Sequence, residues 1–226
     1  VTHDLREPLR KLAVFSSLLT SDQSHLNDKS IVDKINKNLG QLTNTISGLQ
    51  RYVWLHETDL KIQEVDLHKL LSQVAQQLQT EWPGIALHLN TQGLTTLQAD
   101  LDQLQLLFYE LLSNAVRFRK NEALAEVTIT ETTIQLNTYQ QVTGSYLYAD
   151  FLRLQITDKG IGFVGDYGKQ VFDLFKKLHP QSGRGIGLSL CKMVVQNHGG
   201  RIEMDSSENN GSTVTIYLPL QPAIKK

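Results

Sequence analysis

Glu110, Asn114 and Arg117 follow one another at spacings of four and three, which puts a carboxylate, an amide and a cation on one face of a helix. That set suits a hydrated Mg²⁺ and the phosphates of a nucleotide, because magnesium takes oxygen ligands, keeps several waters and needs few protein contacts. The same residues also make an ordinary solvated helix face. Asp158 comes straight off an alternating apolar run, Leu152, Leu154 and Ile156. A carboxylate emerging there needs a hydrogen-bond donor, and the amino group of adenine is one. Gly160 and Gly162 let backbone approach a base closely, although a strand-to-loop turn has the same composition. Gly183, Arg184, Gly185, Ile186, Gly187 and Leu188 stand at the mouth of an apolar helix, where unpaired N–H groups attract phosphate. A flexible glycine turn is the alternative. The run lacks the Gly-Lys-Ser/Thr ending of a P-loop, and no βαβ unit surrounds it. At the other end stand His3 and Asp4. A neutral imidazole is a usable nucleophile near neutral pH, and an adjacent carboxylate orients it or takes its proton; a solvated terminal residue is the plain reading. The remaining histidines show no zinc spacing, and Cys191 reads as a core residue.

The elements that must carry these groups are legible in part. Leu5, Leu12 and Leu19, with Leu9 and Phe15, give a first helix kinked at Pro8. A second runs from about Ile31, with Ile35, Leu39, Leu42, Ile46, Leu49 and Val53 at three-and-four spacing and Ser30 with Asp33 as a cap. Two helices bury little, so the hairpin is expected to pair with a second copy as a four-helix bundle. The repeat fails between Leu55 and Glu64, which places a hinge there. Beyond it the pattern predicts a helix over 66–79 and a strand over 85–90. A helix from Leu101 to Arg117 follows, its start marked by the capping-box spacing of Asp100 and Gln103. Separate strands follow at Val127–Ile129, Ile134–Leu136 and Leu152–Ile156. A helix around Gly168–Lys177 and one from Gly187 to Asn197 come next. Ile202–Met204 then forms a strand, and an Asn209-Asn210-Gly211 turn leads into a final strand. Phe172 and Phe175 are expected to pack. The elements give an α+β chain: a helical hairpin over residues 1–60, then a mixed sheet covered by helices on one face over 61–226.

Composition removes other classes. The chain has 226 residues, 40% hydrophobic, with 22 basic against 23 acidic side chains. A formal charge of -1 argues against nucleic-acid binding by bulk charge. No stretch approaches the roughly 20 apolar residues that span a bilayer. One cysteine excludes an internal disulfide and fits a reducing, cytoplasmic setting. A chain beginning at Val1 reads as a piece of a longer protein.

Taken in order, the clusters resemble a sensor histidine kinase of two-component signalling. His3-Asp-Leu-Arg-Glu-Pro-Leu-Arg10 resembles the H-box in its phytochrome-like variant, Glu110–Phe118 the N-box and Asp158–Gly162 the G1 box. Phe172–His179 resembles the F-box and Gly183–Leu188 the G2 box, with His198-Gly-Gly200 before a strand also familiar. The resemblance implies a dimerisation and phosphotransfer hairpin followed by a GHKL-type ATP-binding domain. It implies ATP bound with Mg²⁺, transfer of the γ-phosphoryl group to His3, and a response-regulator aspartate as the next acceptor. By motif position Asp4 would assist His3, and Glu110 would polarise the attack or organise metal-bound water. Asn114 would contact Mg²⁺, Arg117 the phosphates and Phe118 the base, in place of the common tyrosine. Asp158 would hold the adenine amino group, and the 183–188 run would line the phosphates. Lys159 stands where asparagine is frequent, Arg184 where threonine or serine is frequent, and the lid between His179 and Gly183 is short. Glu7 stands where bifunctional kinases carry threonine or asparagine, which weighs against phosphatase action.

Overall fold

The computed structural model describes residues 9–16, 28–140, 145–163, 170–174, 176 and 185–221. His3, Asp4, Glu7, Pro8, Phe175, His179, Gly183 and Arg184 lie outside the described residues. Residues 9–16 are helical (α1), and α2 runs from Asp28 to Glu57. Ser30 therefore sits inside α2 and does not cap it, because the helix begins three residues before the apolar repeat at Ile31. The single stripe expected on this helix divides in two. Val32, Leu39, Ile46 and Val53, at strict intervals of seven, are 43–49% exposed, whereas Ile31, Ile35, Leu42 and Leu49 are half-buried. Asn38 and Thr45, buried among them, bond back to the carbonyls of Lys34 and Gln41, so neither is left unpaired.

The rest of the chain is β1 (Ile62–Asp66), α3 (Leu67–Glu81), β2 (Ala86–Gln92), β3 (Thr96–Asp100), α4 (Leu101–Arg117), β4 (Leu124–Gln140), β5 (Ser145–Asp158), α5 (Gly187–Asn197), β6 (Arg201–Ser207) and β7 (Gly211–Pro219). Five strands form one mixed sheet in the order β2-β4-β5-β7-β6, in which β2 and β4 are parallel and the other pairs antiparallel. Its buried face carries Val127, Ile129, Leu152, Leu154, Ile156, Val214, Ile216 and Leu218. Against this face lie Leu70, Leu71, Val74 and Leu78 of α3, Leu104, Leu107, Phe108 and Leu112 of α4, and Leu190, Cys191, Val194 and Val195 of α5, all in one cluster. The expected α+β layering is therefore present.

Three features differ from the sequence reading. A second sheet of two strands, β1 with β3, is present; β1 buries only Val65, so it carries no alternation to recognise. The expected break at Glu131–Thr133 does not occur. β4 runs on through these residues, paired in register with Leu154, Arg153 and Leu152 of β5. In place of a helix over 168–177, the described residues show one 3₁₀ turn, Gln170–Phe172, whose Val171 and Phe172 pack on Phe163.

One corner fixes how α4 and α5 sit. Asp100 caps α4 by accepting from the N–H of Gln103 at 3.0 Å, and its other oxygen accepts from Lys61 N–H at 2.8 Å. The return half of a capping box is not made, because Gln103 turns its amide oxygen to Asn197. The N–H of Asp100 donates to Nε2 of His198 at 3.0 Å, so Nδ1 carries the proton and donates to Val194 O at 2.8 Å. Burial lowers the His198 pKa from the ordinary histidine value. In the folded state the ring thus resists a proton that the unfolded chain accepts near pH 6.5. The stability it contributes is present above that pH and is lost as pH falls toward the folded-state value. Urea unfolding is expected to show stability dropping below pH 6.5, by up to about 1.4 kcal/mol per pH unit from this group. His198→Gln should be less stable at pH 7.5 and flatter below pH 6.5; an unchanged pH slope would contradict the assignment.

Candidate functional site

The last turn of α4 and the end of β5 meet directly. Phe118 closes α4 by donating to Asn114 O at 2.9 Å, and its own carbonyl accepts from Ile161 N–H at 2.9 Å. Arg119 and Gly160 form an isolated β-bridge beside it. A Cβ on Gly160 would stand 2.6 Å from Phe118 O, so the close approach requires glycine. Phe118, Asp158, Gly160 and Gly162 are therefore brought together, and Asn114 lies one helical turn (about 5.4 Å) up α4 from Phe118.

The Asp158 carboxylate is mostly buried, and desolvation raises its pKa above the ordinary aspartate value against two N–H donors that lower it. Both donors, Gly160 N–H at 2.7 Å and Ser212 N–H at 3.3 Å, reach Oδ1. Among the described residues no donor reaches Oδ2. The β6–β7 turn holds the loop after Asp158 from the other side. Asn209 N–H donates to Ile161 O at 2.7 Å, and Ser206 Oγ accepts from Phe163 N–H at 3.1 Å and contacts Ser212 Oγ at 2.9 Å. Lys120 Nζ donates to Asn209 O. Gly162 has φ +60°, and a Cβ there would sit 2.0 Å from Ser207 O.

Glu110 lies two turns up α4 and is placed against the start of α5. A Cβ on Gly187 would come within 2.6 Å of its Oε2, and Arg51 of α2 donates to its Oε1 at 3.2 Å. Next to it, Tyr109 donates to Glu81 at 2.6 Å; burial and that carboxylate push the phenol up to about 12, so it stays protonated. Ile186 is buried, Gly187 and Leu188 are half-buried, and Gly185 has φ +71°. Neither the Asn114 amide nor the exposed Arg117 guanidinium has a side-chain partner among the described residues. Burial raises the Cys191 thiol pKa well above its ordinary value and leaves it an inert core residue, as its sequence position implied.

A cleft of about 230 Å³ adjoins the junction and shares Gly160 with it. Ala115, Arg119, Lys120, Asn121, Leu124, Glu126 and Lys159 complete its lining. Lys159 bonds to Glu126 at 2.5 Å, and that lysine holds the Glu126 carboxyl below the usual range. Arg119 is spent on the carbonyls of Val116 and Glu122. Sequence reasoning missed Arg51, Ser206, Asn209 and Ser212. Asn209 was legible as a turn residue, but nothing in the pattern connected that turn to Asp158.

A model of the family described as histidine kinase-, DNA gyrase B-, and HSP90-like ATPase matches residues 99–222. Among curated proteins the chain is 27% identical over 231 residues to cyanobacterial phytochrome B of a Nostoc species, covering 97% of this chain and 28% of that protein. It is 29% identical over 242 residues to the adaptive-response sensory kinase SasA of Synechococcus elongatus, covering 97% of this chain and 57% of that protein. The chain spans about 28–30% of the length of the Nostoc phytochromes A and B and of the circadian input-output histidine kinase CikA. Its fold superimposes on histidine kinase ThkA, solved with response regulator protein TrrA, at a TM-score of 0.70 and 18% identity, covering 100% of this chain and 61% of that one. It also superimposes on the Acinetobacter baumannii histidine kinase AdeS at a TM-score of 0.66 and 17% identity, covering 97% and 98%.

The glycine geometry gives a direct test. Gly162→Ala should lose more than about 2 kcal/mol in urea unfolding, from the carbonyl clash and the positive φ together. Gly40→Ala, where nothing lies within 4 Å of the new methyl, should gain about 0.5–1 kcal/mol by helix propensity. Equal effects at the two sites would contradict the packing described.

Proposed function

Because the chain belongs to the histidine kinase-, DNA gyrase B-, and HSP90-like ATPase family, we propose that it is the phosphotransfer and ATP-binding region of a sensor histidine kinase. Residues 1–60 would form the dimerising phosphotransfer hairpin and 61–226 the ATP-binding domain. The observation that carries this reading is the Asp158 carboxylate, mostly buried and bonded by backbone through Oδ1 alone. A half-satisfied buried acceptor beside bare backbone at Gly160 fits a flat base offering an amino N–H.

ATP and Mg²⁺ suit the residues present. Asp158 Oδ2 would accept a hydrogen bond from the adenine amino group, with Gly160, Gly162 and Phe118 as the residues that would hold the ring. Asn114 offers an amide oxygen to Mg²⁺, Arg117 faces the phosphates, and the 183–188 run with the α5 N-terminus lines them. Magnesium, when bound, supplies charge neutralisation across the phosphates. Glu110 orients or polarises the attacking imidazole of His3, whose proton Asp4 receives or steadies. Asp158 thus fixes the nucleotide at one end while Asn114, Arg117 and the α5 N-terminus hold its phosphates for in-line attack. As the imidazole nitrogen bonds the γ-phosphorus, the bond to the β-phosphate oxygen would break and ADP would leave; the phosphoryl group would then pass to an aspartate of a response-regulator receiver domain.

The exposed stripe Val32, Leu39, Ile46 and Val53 supports a homodimer, since a second copy in a four-helix arrangement would bury it. A cytoplasmic location is part of the same proposal.

With γ-³²P-labelled ATP, the wild type should acquire an acid-labile, alkali-stable label that His3→Ala lacks. In sedimentation the wild type should run as a dimer that Ile46→Lys splits. No label on wild type, or full labelling of His3→Ala, would refute the kinase reading.

A further inference from the structure

Strands β4 and β5 run on past the rest of the sheet. β2 accompanies β4 only as far as Thr130, and β7 accompanies β5 only as far as Phe151, with one further bond from Leu220 N–H to Asp150 O at 3.0 Å. The Glu131 carboxylate accepts from the N–H and the hydroxyl of Thr95 at 2.9 and 2.6 Å, which closes off the segment after β2. Beyond these points β4 and β5 pair with each other alone among the described residues, as an arm at the end of the sheet opposite Asp158. The apolar pattern changes face on this arm. Thr128, Thr130 and Thr132 occupy the side of β4 turned from the helices; on the arm the same side carries Ile134 and Leu136, opposite Phe151 and Ala149.

Two bonds give the direction of the free backbone groups. Asp150 turns its carbonyl to the β7 side, and Glu126 accepts from Lys159 N–H. Backbone groups of successive strand residues point to opposite sides, so the even residues of β4 bond to β5. Thr133, Gln135 and Asn137 therefore present N–H and C=O along an edge that no described strand covers. Sheet edges are ordinarily guarded by charge, proline or a bulge. Here no charged residue and no proline occurs from Thr132 to Ala149, in a chain that is 20% charged, and the register with β5 is unbroken.

We propose that this edge pairs with the same edge of a second copy of the chain, antiparallel and centred on Gln135. A two-fold contact needs a surface that complements itself, and Thr133-Ile134-Gln135-Leu136-Asn137 reads polar, apolar, polar, apolar, polar from either end. The axis sets Gln135 opposite its own equivalent, Thr133 opposite Asn137 and Ile134 opposite Leu136. The three outward residues then meet in reciprocal backbone pairs, the apolar sides of the two arms become continuous, and no like charges are opposed. Each such bond adds little net stability and association costs freedom, so the contact forms at raised concentration and joins chains side by side. Asp158 lies about 30 Å along β5 from Ala149 at about 3.4 Å per residue, so the pairing is independent of the nucleotide site and of the kinase reading.

The full chain is followed by sedimentation and by amide exchange over a roughly hundredfold range of concentration. Exchange at Thr133, Gln135 and Asn137 should slow at least about threefold toward the top of the range. Thr133→Lys/Asn137→Lys and Thr133→Glu/Asn137→Glu, at exposed positions, should each lower the average mass reached there. An equimolar mixture of the two should restore it, because lysine then faces glutamate. A third variant needs no charge: paired residues that exchange both bonds stand about 5.5 Å apart between Cα atoms, within disulfide reach. Gln135→Cys should therefore cross-link two chains under mild oxidation faster than Asp205→Cys on β6, with Cys191 buried and inert. Exchange at the three amides that is independent of concentration would overturn the pairing. So would a mixture that associates no further than either charged variant alone, or equal cross-linking of the two cysteine variants.

Discussion

A carboxylate at the end of a central strand is held half inside the protein by two backbone N–H groups, and much of the surrounding chain is arranged to make that possible. Burying Asp158 is costly unless donors meet it. Gly160 and Ser212 supply them from two different segments, the loop after β5 and the start of β7. For both to converge on one oxygen, the β6–β7 turn must press on the loop. Gly211 makes room for this, since a Cβ there would sit 2.0 Å from Asp158 O. Gly162 plays the same part opposite Ser207. These glycines are set by backbone contact across the turn, and the base-binding role would use the space they leave.

Helix α4 then sets the distance between this carboxylate and the rest of the site. Its N-terminus is pinned by Asp100 to Lys61, and the Asp100 N–H is pinned to His198 at the end of α5. Its C-terminus is pinned through Phe118 to the loop after Asp158. With both ends fixed and Leu104, Leu107, Phe108 and Leu112 buried, Glu110, Asn114 and Arg117 have one placement relative to Asp158. The neutral His198 tautomer is part of this frame, so acid weakens the frame at a point remote from the candidate site.

The elements that reach the core through one periodic face were readable in the sequence. α4 begins and ends where its apolar spacing and the Asp100 cap say, α5 where its apolar spacing says, and the Asn-Gly turn leads into β7 as expected. What was not readable depends on partners distant in the chain. β1 buries a single residue, and its strand form comes from pairing with β3. The Glu-Thr-Thr run at 131–133 looks like a break because its polar side chains carry no signal, yet β5 holds it in the ladder. The 110–118 and 158–162 runs were legible as residue types, and the structure brings Phe118 and Gly160 together. Arg51 was invisible as a site residue, because an arginine on the outside of a heptad helix looks like any solvated cation until α4 is packed against it.

Calorimetric titration of the wild type and Asp158→Asn with ATP and with GTP, in Mg²⁺, tests the account most directly. Asparagine keeps the shape and one acceptor for Gly160 N–H but offers a donor where Oδ2 stood, facing the adenine amino group. The wild type should bind ATP and prefer it to GTP, and the variant should lose at least about tenfold in ATP affinity (about 1.4 kcal/mol). Equal ATP affinity in the two proteins, or no preference for adenine in the wild type, would contradict Asp158 as the floor of a nucleotide site.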